Sequence, residues 1–286
     1  MGPGFEWPGA KPRQGVYFLF LVRGIWLINS QMQTVFVIGA SAGGVDALKS
    51  IVGQLPAGFL GSLFIVLHMS PDHPSQLPEI LQLVSRLPVQ RPQEGQLIEA
   101  GHIYVAIPNH HLMLEGDKVR LISGPKENRF RPSVDALFRS AARAQGPKVV
   151  GVVLTGGMDD GTAGLYAIKA RGGLTIVQDP DEAYCSWMPQ SAIDQVEVDH
   201  VMRLDQIGPL LVELSERQAS SKEEYLAPPY MDSEVGVALG DNGRMKEIVG
   251  LGNSALTPVM SATECSFKSP RAELSDFAAM RATPSH

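Results

Sequence analysis

Val35-Phe36-Val37-Ile38-Gly39-Ala40-Ser41-Ala42-Gly43-Gly44 is the stretch that decides the fold of this chain. Its four leading apolar residues predict a strand buried on both faces, and the apolar residues that follow at helical spacing predict a helix. Residues 39–43 fit the G-x-S-x-G nucleophile elbow, in which a sharp strand-to-helix turn exposes the serine. A phosphate-binding loop or a purely structural turn is the alternative. Against a dinucleotide site, the pattern is not G-x-G-x-x-G, and the next strand ends in His68 rather than in an acid.

Strands and helices alternate outward from this stretch, between Thr34 and about Leu214. This alternation predicts an α/β fold: a doubly wound, mostly parallel sheet with helices on both faces, in three α/β/α layers. Gly116-Asp117 lies between two further strand-like segments and predicts a small antiparallel hairpin, 111–115 with 118–122. The predicted strands of the main sheet are 34–38, 63–67, 101–107, 149–154 and 174–177, and the predicted helices are 43–55, 74–85, 132–144, 162–170, 189–194 and 206–218.

Polar residues follow three of the predicted strands, at the points where those strands end. They are Ser41, His68 and the acidic pair Asp159-Asp160. Because the carboxyl ends of parallel strands meet at one edge of the sheet, we expect these side chains to converge there. A serine, a histidine and a carboxylate together are the arrangement used for acyl transfer. Each also has a structural reading: His68 as a hydrogen-bonded strand end, and either aspartate as the cap of the next helix. The other histidines are expected to be structural or surface residues.

Composition narrows the possible functions. With a net charge of −6, the chain lacks the excess of basic residues that is typical of nucleic-acid-binding proteins. The two cysteines, Cys185 and Cys265, build neither a disulfide framework nor a zinc site, which fits a reducing compartment. The apolar segment 16–28 is too short to span a bilayer and is broken by Arg23 and Gly24, so we expect no stable membrane insertion.

We expect three parts along the chain. Residues 1–33 form an N-terminal extension. For residues 1–31, an early start codon with translation beginning at Met32 is favoured over a signal peptide, because no convincing small-residue cleavage site follows the apolar segment. Residues 34–216 form the folded domain. Residues 217–286 form a linker and a mostly disordered tail, because they are polar and rich in Pro, Ser and Gly and lack sustained periodicity.

Five motifs resemble those of one known family, in the same order along residues 34–216. The motifs are Gly39–Gly44, His68-Met69-Ser70-Pro71, Arg131-Pro132-Ser133-Val134-Asp135, Leu154-Thr155-Gly156 with Asp160-Gly161, and Met188-Pro189-Gln190-Ser191-Ala192-Ile193. They are similar to the nucleophile loop, the histidine segment, a hallmark segment, the acidic loop and the Met-Pro helix start of the bacterial chemotaxis protein-glutamate methylesterases, the CheB catalytic domain.

The resemblance implies a doubly wound α/β/α domain and a serine hydrolase that needs no cofactor. It implies Ser41 as nucleophile, His68 as general base and acid, and Asp160 as the orienting carboxylate. The implied reaction is hydrolysis of γ-glutamyl methyl esters on the cytoplasmic helices of chemoreceptors, and many members also deamidate receptor glutamines. A cytoplasmic location follows. For the oxyanion we expect the backbone N–H of Ala42, with Gly157 or Met158 as a second donor.

The chain also departs from the family pattern. Residues 1–33 are too short for the receiver domain of well-studied members, so kinase control is unsupported. Ala42 replaces a common threonine, and Gly156-Gly157-Met158-Asp159-Asp160 replaces the more usual Gly-Met-Gly pattern. The tail lacks the cysteine-rich segment of stand-alone members, so no zinc site is expected. The alternatives are a non-catalytic docking module of the same fold and a hydrolase of small esters.

Overall fold

The protein's structure, a computed structural model, describes residues 33–69, 74–216, 234–236 and 238–240. All of them belong to the first of two units, residues 1–244. The expectations for the N-terminal extension and for most of the tail lie outside the described residues. Within the expected tail, Val235 is buried and packs with the core of the domain.

Within the described ranges, seven parallel strands form the central sheet. They are β1 (Val35–Ala40), β2 (Ser62–Leu67), β3 (Val89–Gln90), β4 (Ile103–Val105), β7 (Val149–Val153), β8 (Leu174–Gln178) and β9 (His200–Met202). Their order across the sheet is β3-β4-β2-β1-β7-β8-β9. Strands β5 (His111–Glu115) and β6 (Lys118–Ile122) pair antiparallel in a separate hairpin, with the bounds that the sequence predicts.

Helices cover both faces of the sheet, which confirms the predicted fold class. They are α1 (Gly44–Gln54), α2 (Leu77–Gln82), α3 (Val134–Gln145), α4 (Thr162–Ala170), α5 (Trp187–Gln195) and α6 (Leu204–Glu216). Alternate residues of β1 enter two separate cores, since successive side chains of a strand point to opposite faces. Phe36 and Ile38 pack with α1, α2 and α6, whereas Val35 and Val37 share a core with α3, α4, α5 and the hairpin.

The strand order reverses at β1. Strand β2 follows β1 in the chain and lies on one side of it, whereas β7 lies on the other side. The helix after β1 covers one face of the sheet, and the helix after β7 covers the opposite face. The loops that leave β1 and β7 therefore diverge and open a crevice at the carboxyl ends of the strands, which is where ligands bind in doubly wound folds.

The structure differs from the sequence prediction mainly at the edges of the sheet. Strands β3 and β9 are not predicted from the sequence. They have only two and three residues and are partly exposed, so they lack the apolar run that marks the central strands. Helix α2 is shorter than the predicted 74–85. No helix within the described ranges is long and apolar enough to cross a bilayer.

Candidate active site

Ser41 lies in the turn between β1 and α1. Gly43 adopts a left-handed φ of 77° there, which a residue with a side chain would adopt only with strain. A side chain at Gly43 would also run into Tyr184. The Ser41 N–H donates to the Thr155 carbonyl at 2.9 Å, so the turn is attached to the loop after β7. Ser41 therefore lies on the side of β1 that faces the crevice.

Thr155 forms hydrogen bonds with the serine turn, with the end of β8 and with the loop that follows β8. Its hydroxyl donates to the Ala42 carbonyl at 2.8 Å and accepts from the Cys185 N–H at 2.9 Å. The Thr155 N–H donates to Gln178 Oε1 at 2.8 Å. One buried threonine thus holds the serine turn against the end of β8 and the loop that follows β8. Sequence reasoning assigned it no role, because these partners are 23 to 113 residues away in the chain.

Gly156 lies close to Ser41. A Cβ added at Gly156 would lie 2.8 Å from Ser41 Cβ and 2.1 Å from Met188 Sδ. The backbone of the loop after β7 therefore packs directly against the serine side chain, and only a glycine leaves room for it. The Met188 side chain, in the first turn of α5, lies against the same glycine.

His68 leaves the end of the neighbouring strand β2. Its backbone N–H donates to the Ala40 carbonyl at 3.1 Å, which places the His68 backbone beside the end of β1, one residue before Ser41. Nε2 lies 2.7 Å from Asp160 Oδ2, and the two side chains are 3 % and 0 % exposed. The Phe130 ring stacks on the imidazole, with centroids 3.6 Å apart and planes 6° from parallel. Nδ1 is buried and has no hydrogen-bond partner within the described ranges.

The Asp160 carboxylate accepts hydrogen bonds from four further donors, three of them at the start of α3. Oδ1 accepts from Ser133 Oγ at 2.9 Å, Asn128 Nδ2 at 2.8 Å and the Asp135 N–H at 3.0 Å, and Oδ2 accepts from the Val134 N–H at 2.8 Å. Burial alone would raise the pKa of Asp160, but the hydrogen bond and charge of His68, together with Asn128 and Val134, lower it. Asp160 is therefore ionised at neutral pH.

Asp135 is a second buried carboxylate beside the first. Its Oδ1 accepts from the N–H groups of Gly161 and Gly164 at 3.0 and 2.6 Å, and its Oδ2 accepts from Asn128 Nδ2 at 2.6 Å. Burial, and then the charge of Asp160, raise the pKa of Asp135 to about 7. Asp135 thus ties the start of α4 to α3. Sequence reasoning quoted it within a family motif without giving it a role.

The two acidic candidates from the sequence have separate places in the structure. Asp160 contacts His68, whereas the side chain of Asp159 makes no hydrogen bond within the part of the chain that the structure describes. The Asp159 backbone carbonyl accepts from the Thr162 N–H at 3.1 Å, at the start of α4.

The candidate oxyanion donors lie in the two loops that flank the crevice. The N–H groups of Ala42, Gly157 and Met158 have no hydrogen-bond acceptor among residues 33–69 and 74–216, so they are available to a ligand. The Gly156 N–H is different, because it donates to the Cys185 carbonyl at 2.9 Å. The oxyanion role of Ala42, Gly157 and Met158 stays a prediction.

Metal ligation has no support in the described ranges, where no three His, Cys, Asp or Glu side chains form a group that could hold a metal ion. His111 is buried and structural: its Nε2 lies 2.8 Å from the Pro125 carbonyl.

Comparisons with known proteins identify relatives of this domain. The family model for CheB methylesterase matches residues 36–211. A Leptospira interrogans protein, provisionally named a protein-glutamate methylesterase/protein-glutamine glutaminase, is 39 % identical over 187 residues, which are 65 % of this chain and 97 % of the relative. A Methanosarcina mazei protein named protein-glutamate methylesterase/protein-glutamine glutaminase 2 is 36 % identical over 194 residues, and the match spans 65 % of this chain and only 53 % of that longer protein.

A solved structure shows the same architecture. The crystal structure of the Thermotoga maritima CheB methylesterase catalytic domain superposes with a TM-score of 0.61 and 33 % sequence identity. The match covers 64 % of this chain and 98 % of that domain.

Proposed function

Because the chain belongs to the CheB methylesterase family, we propose that it hydrolyses the γ-methyl esters of glutamate side chains on chemoreceptor-type proteins. Deamidation of glutamine would be a second reaction of the same site. The observation that carries this proposal is the buried His68–Asp160 pair, 2.7 Å apart, at the sheet edge where Ser41 also lies. The proposal includes the cytoplasmic helices of chemoreceptors as the substrate and the cytoplasm as the location of this protein.

The contacts of His68 support a different role for each imidazole nitrogen. Asp160 is ionised, so Nε2 carries a proton and donates it to this carboxylate. In the neutral imidazole the lone pair is then on Nδ1, the nitrogen without a partner in the described ranges. Nδ1 is therefore the nitrogen that takes the Ser41 proton. Phe130 and Asp160 hold the ring while its charge changes, so little reorganisation is needed during the reaction.

The reaction then proceeds by two acyl transfers. Ser41 Oγ attacks the ester carbonyl carbon while its proton moves to His68 Nδ1, and the carbonyl oxygen becomes an oxyanion. The tetrahedral intermediate collapses, the C–O bond to the methoxy group breaks, and His68 returns the proton so that methanol leaves. A water molecule, deprotonated by His68, attacks the acyl-enzyme and releases glutamate and free Ser41. Every step uses these side chains and water.

Replacement of Ser41 tests the proposal directly. We expect Ser41→Ala to lower methanol release from methylated receptor on the order of 10⁶-fold, and Asp160→Asn to lower it on the order of 10⁴-fold, as in other triads. Ser50→Ala, at a half-buried serine of α1, is the matched control and should retain the parent rate. Methanol release by Ser41→Ala near the parent rate would refute the mechanism.

Two further assays separate the alternatives. A fluorophosphonate probe should label the parent protein and not Ser41→Ala, whereas a non-catalytic docking module would not be labelled at all. A hydrolase of small esters would turn over a panel of small esters with higher kcat/KM than methylated receptor, and that result would exclude the proposed substrate.

A further inference from the structure

A cleft of about 450 Å³ opens between the loop after β7 and helix α5. Met158 and Asp159 line one side, and Trp187, Gln190 and Asp194 line the other. Trp187 is 64 % exposed and Met158 is 38 % exposed. Large apolar side chains that share an open cleft are typical of a binding surface rather than of an ordinary protein surface. The chemistry proposed above leaves this cleft without a role.

The cleft adjoins the proposed nucleophile. Met158 and Asp159 directly precede Asp160, the partner of His68. On the opposite wall Trp187 precedes Met188, whose N–H donates to the Gly156 carbonyl at 2.9 Å. Gly156 in turn packs against Ser41. A substrate that reaches Ser41 therefore places its neighbouring side chains at the cleft.

The charges of the cleft are acidic. Asp159 and Asp194 line it, and no Lys or Arg of the described ranges is among its lining residues. Asp194 Oδ1 accepts from Gln190 Nε2 at 2.7 Å, a neutral donor, and Asp194 forms no ion pair with any residue that the structure describes. The Trp187 ring adds a surface that attracts cations. An arginine side chain suits the apolar lining, the carboxylates and the Trp187 ring of this cleft. Its apolar stem packs on Met158 and Trp187 while its guanidinium binds carboxylate.

We propose that this cleft binds an arginine side chain of the substrate helix, about one turn from the esterified glutamate. Residues three or four positions apart are neighbours on a helix surface, with Cβ atoms roughly 5–6 Å apart, so one helix can present the ester to Ser41 and the arginine to the cleft. The proposal rests on the proposed function and adds the sequence context that the enzyme selects.

The test uses synthetic helical peptides with a single γ-methyl glutamate. In one series an arginine lies three or four residues before or after the ester, and in the matched series alanine or glutamate replaces it. For the full-length protein we expect kcat/KM at least tenfold higher for one of the arginine peptides than for its alanine counterpart. Equal values for all positions would overturn the inference and leave the proposed function intact. Absence of methanol release from every peptide and from methylated receptor would instead refute the proposed function.

Substitutions of residues in the cleft test whether the preference for arginine peptides arises there. Trp187→Ala and Asp194→Asn should lower the arginine-to-alanine ratio of kcat/KM toward one, and Asp194→Lys should favour the glutamate peptide. Tyr166→Ala is the matched control, because Tyr166 is 54 % exposed on α4 and does not line the cleft. The ratio is independent of the folded fraction of each variant. An unchanged ratio in Trp187→Ala and Asp194→Lys would overturn the assignment of the arginine to this cleft.

Discussion

The surroundings of Asp135 predict how the free energy of unfolding depends on pH. Asp135 is 4 % exposed and lies beside the ionised Asp160, and the pKa of its carboxyl is raised to about 7 from an ordinary 3.8. Between about pH 4 and pH 7 the folded protein therefore holds a proton at Asp135 that the unfolded chain has already released. Stability from this group is complete below the unfolded pKa and is lost as the pH rises through the folded pKa.

The size of the effect follows from the two pKa values. At 1.36 kcal/mol per pKa unit, the linkage relation gives a loss on the order of 3 kcal/mol between pH 5 and pH 8 from this one group. Replacement by asparagine removes the titration. Asp135→Asn also disturbs the hydrogen bond with Asn128, but that cost does not depend on pH. The difference in unfolding free energy between the variant and the parent should therefore shift by about 3 kcal/mol in favour of the variant from pH 5 to pH 8.

Urea unfolding at pH 5, 6, 7 and 8 measures this shift. Asp199→Asn is the matched control, because the pKa of Asp199 is lowered: burial opposes this, but hydrogen bonds from Lys169 and Thr175 outweigh it. Stability from Asp199 is lost only as the pH falls toward its lowered pKa, so the effect of Asp199→Asn should be constant from pH 5 to pH 8. A constant difference for Asp135→Asn over the same range would refute the reasoning about Asp135.

Two further substitutions test the packing around the proposed nucleophile and base. Gly156→Ala places a methyl group against Met188 Sδ and Ser41 Cβ, so we expect a loss of about 1–3 kcal/mol in urea unfolding and a large drop in kcat. In a Met188→Ala background, Gly156→Ala should cost less stability than in the parent, because the contact with Sδ is gone, but it should still lower kcat. An undiminished kcat in that background would show that the contact with Ser41 is unimportant. Phe130→Leu removes the ring stacked on His68. We expect it to lower kcat about tenfold with little change in KM, since roughly 1.4 kcal/mol is at stake, and an unchanged kcat would remove Phe130 from the site.

The central part of the fold could be predicted from the sequence, because its signals are local. Strand β1 and strand β7 are continuous apolar runs, and Gly116-Asp117 marks the hairpin turn. The outer strands β3 and β9 carry no such signal, since their pairing depends on neighbours that are distant in the chain.

Some residues of the candidate site could likewise be predicted from the sequence, and others could not. Ser41, His68 and Asp160 could be placed together from the sequence, because each follows a strand of one parallel sheet. Asn128 and Phe130 could not, since they come from an irregular loop whose path depends on the assembled domain. Asn128 gives its two amide hydrogens to two different carboxylates, a contact between segments up to 32 residues apart.

The three proposed catalytic residues follow β2, β1 and β7, which are immediate neighbours in the sheet. A slip of one residue between β1 and β2 would displace His68 by roughly 3.3 Å and exchange the faces of every side chain on the shifted strand. Only the register that pairs Ala40 with Leu67 and Gly39 with Val153 brings the three groups together. Regained esterase activity after dilution from denaturant is thus a sensitive readout of correct strand alignment. Far-ultraviolet circular dichroism would not distinguish a sheet with a shifted strand register from the native sheet.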